Sequence, residues 1–127
     1  MLSRTVSNGN CTVTVRSKTF ESVSVHKSGS WWGIETSKPV TIVDELIIHQ
    51  KSKRIAVPLS VYSDLANLDE IRIDRKGNAL EIYLRGGQSA AAYEARLIVD
   101  NGEVVERTVC NRNFPEVILE KTQYFAN

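Results

Sequence analysis

A chain of 127 residues with 42% hydrophobic and 24% charged content is long enough to bury one core without disulfide or metal staples, and nothing in its composition points to disorder. The formal net charge of +1 argues against partners reached mainly by charge, such as nucleic acid or an anionic membrane surface. No run approaches the roughly 18 apolar residues of a membrane span, and Met1-Leu2-Ser3-Arg4-Thr5 lacks the apolar stretch of a signal peptide. As written, the sequence reads as a single domain over residues 1–127 in the cytoplasm; an extracytoplasmic protein stripped of its leader would read the same way.

In chain order, Cys11, Val13 and Val15 alternate with Thr12, Thr14 and Arg16, the pattern of a half-buried strand. Val23 and Val25, alternating with Ser22, Ser24 and His26, predict a second strand that ends in the Lys27-Ser28-Gly29-Ser30 turn. A third runs from Trp31 to Thr36 and stops before Lys38-Pro39. From Val40 the chain extends through Ile42, Val43, Leu46, Ile47 and Ile48 to a polar tip, Gln50-Lys51-Ser52-Lys53. It returns through Ile55 and Val57 as a hairpin that Pro58 closes.

Ser60 has the character of an N-cap, with Val61, Leu65 and Leu68 at helical spacing and Asp64 near the positive end of the dipole, so a short helix is expected near residues 60–68. Ile71 and Ile73, then Leu80, Ile82 and Leu84, predict a hairpin. A two-residue Lys76-Gly77 loop would pair Ile71 with Ile82, Ile73 with Leu80 and Arg72 with Glu81. Gly86-Gly87-Gln88-Ser89 is a connector into the most legible stretch of the chain, Tyr93 to Val109.

Two closures of that hairpin are possible. A two-residue Asn101-Gly102 loop would set Arg96 against Arg107. A three-residue Asp100-Asn101-Gly102 loop, with Gly102 left-handed, pairs Leu97 with Val105, Tyr93 with Val109 and Arg96 with Glu106, and better cross-strand pairs favour it. Its core face is Tyr93, Ala95, Leu97, Val99, Val105 and Val109, with Arg107 as the one polar interruption. Residues 111–115 read as a loop. The segment 116–125 combines a helix-like start at Pro115-Glu116 with strand formers Ile118, Thr122 and Tyr124, which decide for a strand. The fold class is therefore mainly β: an antiparallel sandwich, barrel or strongly bent sheet built from hairpins, with one short helix near residues 60–68.

The catalytic inventory is poor. No serine or cysteine lies in a nucleophile-elbow sequence. Asp44, Glu45 and His49 could form an acid/base cluster, but neighbours in a strand face opposite ways; Asp69, Glu70 and Asp74 read equally well as a solvated strand edge. Cys11, Cys110, His26 and His49 lack metal-site spacing, so neither a catalytic residue, a metal nor a cofactor is expected. Cys11 and Cys110 are read as buried free thiols, with a disulfide as the alternative if their strands are neighbours.

The leading expectation is a non-enzymatic domain that binds another protein, of inhibitor, immunity or assembly type. Its candidate contacts are Trp31 and Trp32, one of which a regular strand would turn outward, and the basic tip Lys51, Lys53 and Arg54. Self-association through an edge strand is a variant of it, and Phe114-Pro115 and Tyr124-Phe125 are further aromatic contacts. The alternative is a small-ligand or carbohydrate module with a pocket of Trp31, Trp32, Tyr83 and Tyr93.

Overall fold

The computed structural model describes residues 2–19, 31–34 and 41–125. Within them the chain forms nine strands: β1 (Leu2–Asn8), β2 (Cys11–Thr19), β3 (Thr41–Gln50), β4 (Lys53–Ile55), β5 (Leu68–Lys76), β6 (Ala79–Gly86), β7 (Tyr93–Asp100), β8 (Glu103–Asn111) and β9 (Phe114–Gln123). They build two open antiparallel sheets, β1-β2-β3-β4 and β5-β6-β7-β8-β9, each strand pairing with its neighbours in sequence. A mainly β, antiparallel, hairpin-built fold is what the alternation predicts, and of the three arrangements the closed barrel is excluded. The predicted strand around Val23 and Val25, the turn at residues 27–30 and the end of the strand from Trp31 lie outside the described residues.

One apolar cluster draws on both sheets. Val13, Val15, Leu46 and Ile48 from the first meet Ile73, Ile82, Leu84, Leu97 and Val109 from the second, all nearly inaccessible to water. Every fully buried side chain of this size adds roughly 1.5–3 kcal/mol, so the shared cluster holds the two sheets together. Polar links close one flank: the Asn8 side-chain amide donates to the Ile73 carbonyl at 2.7 Å, and Arg75 Nη2 donates to Asn10 Oδ1 at 2.6 Å.

The tips of the hairpins differ from expectation in instructive ways. Gly77-Asn78, with Lys76 opposite Ala79, replaces Lys76-Gly77 as the loop of β5–β6, and positive φ at Gly77 is the requirement of a type II′ turn. The register moves by two residues, pairing Ile71 with Leu84, Ile73 with Ile82 and Arg72 with Tyr83. A shift of two keeps every side chain on its face, which is why the predicted core residues are right although their partners are not.

The β7–β8 hairpin corrects the expected three-residue loop. Asp100 faces Glu103 across a two-residue turn in which Asn101 (φ 53°) and Gly102 (φ 77°) are both left-handed, a type I′ geometry. The like-charge pair that made this loop unattractive is avoided by a bulge at Val105. Beyond it Ile98 faces Glu106, Leu97 faces Arg107 and Arg96 faces Thr108. The bulge also puts Val104 rather than Val105 into the core.

Between β4 and β5 the expected helix shrinks to one 3-10 turn, Leu59–Val61, and Ser60 makes no capping bond. The helical spacing of Val61, Leu65 and Leu68 has another cause. Leu65 and Ala66 bridge to Trp32 and Ile42, Asn67 turns left-handed (φ 52°), and Leu68 begins β5. At the other end of the chain 114–123 is strand, as expected, and starts so early that the loop before it is only Arg112-Asn113.

Candidate functional site

Trp32 belongs to an isolated bridge rather than a regular strand. Its N–H donates to the Asp64 carbonyl (2.8 Å) and its carbonyl accepts from Ala66 N–H (2.9 Å). The inward–outward alternation expected of the pair is therefore replaced by two half-buried rings, Trp32 packed against the core. The next residue, Gly33, occupies a position that no other residue fits. Its φ is +93°, and a Cβ there would stand 2.6 Å from both the Ala66 carbonyl and the Tyr93 ring. Tyr93 is buried and donates its hydroxyl to the Ala66 carbonyl at 3.0 Å.

The two tryptophans, the Ser89–Ala91 turn, Tyr93 and Leu119 enclose a shallow recess of about 150 Å³. Ligand pockets usually have roughly 300–1,000 Å³, so the recess accommodates a side chain better than a free ligand. Tyr83, placed with the tryptophans in the expected carbohydrate pocket, lies elsewhere. It projects from the outer face of the second sheet, with the Arg72 guanidinium 4.2 Å above its ring and its hydroxyl donating to Glu81 at 3.1 Å.

Leu119 belongs at once to the recess and to a strip of which the sequence indicates only Phe114 as a contact. Along the edge strand β9, Phe114 (59% exposed), Val117, Ile118 (60%) and Leu119 (50%) all meet solvent. Three consecutive apolar residues in a strand must place at least one on each face, so this exposure had a signal in the sequence. Pro115 and two shifts of register, between Val109 and Cys110 and between Cys110 and Asn111, make this half of the edge irregular. Bulges and proline blunt an edge against strand addition. What β9 offers is its side chains.

The basic tip is at the far end of β7 from the recess. Lys51, Lys53 and Arg54 border an open cleft of about 650 Å³, shared with the tips of the two neighbouring hairpins at Asn78 and at Asp100-Asn101-Gly102. The structure thus splits the expected partner-binding residues into two surfaces.

The carboxylates considered for catalysis are engaged in ion pairs. Glu45 holds Arg16 (3.1 Å) and Arg54 (3.3 Å), Asp44 holds Lys18 (3.2 Å), Asp69 holds Arg112 (3.0 Å), and Asp74 holds Arg72 (3.3 Å). Burial pushes Glu70 up, but Arg85 and Arg112 outweigh it and hold the carboxyl below the usual range, unsuited to donating a proton. Cys11 faces the core from the first sheet, whereas Cys110 lies on the outer face of the second beside Glu94. The alternative disulfide is not formed; both thiols are free and buried. Burial, then Glu94, pushes the Cys110 thiol up to about 11, and burial raises Cys11 despite Arg75. Neither is a ready nucleophile.

Among the described residues no cluster of three or more His, Cys, Asp or Glu is placed to hold a metal, and no helix is long and apolar enough to cross a membrane. No known family model matches the chain, and neither the curated proteins nor the solved structures include a similar one.

Proposed function

We propose that this chain is a non-enzymatic protein-binding domain, of inhibitor, immunity or assembly type, whose contact surface is the β9 strip together with the tryptophan recess. The observation that carries the reading is continuity: Leu119 lines the recess and also stands in the exposed row with Ile118 and Val117. Interfaces draw their energy from a few large apolar and aromatic side chains grouped around a pocket. Here a partner's side chain enters the recess lined by the tryptophans while its apolar neighbours wrap around the edge of β9 to cover Val117, Ile118 and Phe114. Recognition by side chains, rather than by an added strand, follows from Pro115 and the irregular ladder, which disfavour edge-to-edge self-association through this half of β9.

The test is affinity capture from the native host with the wild-type chain and with Ile118→Lys and Leu119→Lys, each verified to be folded. A protein retained by wild type and lost from both variants, but kept by Lys51→Gln, supports the surface. Retention unchanged in the β9 variants overturns it.

A further inference from the structure

We infer that the cleft between the three hairpin tips is a binding site for a small phosphorylated sugar or polyol, separate from the β9 surface. Its charge is the first reason. Lys51 and Lys53 form no ion pair among the described residues, and Asp100 is the one carboxylate among the described residues that lines the cleft with them. Arg54 is only partly neutralised, because the Glu45 carboxylate beside it at 3.3 Å is shared with Arg16. Three cations around one recess attract a compact, multiply charged anion such as a phosphate ester, and attraction across a walled cleft is stronger than on an open surface.

The remainder of the lining decides what the phosphate is attached to. Gln50, Asn78 and Asn101 bring carboxamides that both donate and accept, and Asp100 brings a carboxylate that only accepts and forms no ion pair among the described residues. A bare anion would be repelled by Asp100. A molecule that carries hydroxyl groups next to its phosphate gives Asp100 the donors it needs, and vicinal hydroxyls match side-chain amides. Among the described residues no aromatic side chain borders the cleft, so none of them offers a ring to stack on a nucleobase. The volume of about 650 Å³ suits a monosaccharide phosphate with its water.

The site has an architectural rationale as well. Two of its walls are type I′ turns, Lys51-Ser52 (φ 52° and 66°) and Asn101-Gly102, and the third is the Gly77-Asn78 turn; the walls come from both sheets. Two-residue turns of this kind set the backbone positions from which the cationic and amide side chains project.

The experiment is an amide-resolved NMR titration of the full chain with glucose 6-phosphate, glucose and inorganic phosphate in parallel. Saturable shifts at Lys51–Arg54 and Asn101-Gly102 are expected with glucose 6-phosphate, at lower concentration than with either fragment. The double variant Lys51→Gln, Lys53→Gln is expected to weaken binding about tenfold or more, and Asp100→Asn to erase the preference for the sugar phosphate over phosphate. Unchanged affinity in the double variant, equal binding of inorganic phosphate by wild type, or silence at the tips would each overturn the assignment. The amide spectrum of each variant reports directly whether it is folded.

Discussion

Arg107 and Asp64 form a two-bond pair at the margin of the core: Nη1 donates to Oδ1 at 2.6 Å and Nη2 donates to Oδ2 at 2.9 Å, with the arginine side chain only 4% exposed. Arg107 also donates to the Val61 carbonyl at 3.1 Å and to Glu120 on β9. Burial alone would lower the guanidinium's proton affinity, but Asp64 and Glu120 reverse that and raise it. The arginine thereby joins the 59–64 turn, β8 and the edge strand. Asp64→Ala should cost about 2–3 kcal/mol, below the full penalty for orphaning a buried charge because Glu120 remains. Arg107→Met should cost less, about 1 kcal/mol, because both carboxylates keep partial access to water. Urea unfolding of the two variants checks the order, and a larger loss in Arg107→Met contradicts it.

The Lys51-Ser52 turn carries two non-glycine residues in the left-handed region. Each L residue there costs roughly 1–2 kcal/mol, and glycine escapes most of it. Ser52→Gly should therefore stabilise the fold by about 1 kcal/mol, seen as a higher Tm. A lower Tm would mean that the Ser52 side chain has a compensating contact.

Gly33 and Gly86 are predicted to reject alanine. At Gly86 the added Cβ would come within 2.5 Å of the Asn67 carbonyl and 2.8 Å of the Tyr93 hydroxyl, and Gly33 adds a positive φ to a similar collision. Overpacking of this kind costs about 1–3 kcal/mol or more. Tyr93→Phe, which removes only the hydrogen bond to Ala66, should cost about 1 kcal/mol. Denaturant titrations of the three variants should rank both glycine substitutions as the more damaging.

Stability should fall in alkali with a slope traceable to Cys110. Its thiol ionises at the ordinary 9.0 once unfolded but is held protonated to about 11 in the fold. Between those values the folded state binds more protons than the unfolded one, so stability is complete below pH 9 and declines as pH rises towards 11, by about 2–3 kcal/mol in total. Cys110→Ala should flatten this part of the profile. Tyr93, raised chiefly by burial and then by Asp69 and Asp64, adds a further decline above pH 10 that Tyr93→Phe removes.

Faces were far more legible in the sequence than partners. Alternation assigns Ile71, Ile73, Leu80, Ile82 and Leu84 to the core whatever the register, because an error of two residues leaves faces intact. The β7–β8 register escaped prediction because a bulge is set by tertiary fit, not by local pairing. Without it Arg107 looked like a blemish on an apolar face. It is on that face, and its carboxylate partners lie 43 and 13 residues away in the sequence, where no local pattern could indicate them. Strand β1 had no readable signal: most of its residues are exposed, and its extended form depends on pairing with β2. The tryptophan pair and the basic tip were both visible as candidates. The distance between them, and the β9 strip that belongs with one of them, depended on the topology.

The meander order has a consequence for the birth of the protein on the ribosome. Strands β1 to β4 are contiguous in the chain, so their sheet can pair as soon as Ile55 has emerged. The side chains that cover Val13, Val15, Leu46 and Ile48 belong to β5 through β8 and are synthesised later. At elongation rates of roughly 5–20 residues per second, the first sheet shows a greasy face to solvent for several seconds before its counterpart arrives. A nascent chain stalled between residues 60 and 90 should therefore be the species that chaperones hold, and releasing the stall after β8 has emerged should set it free.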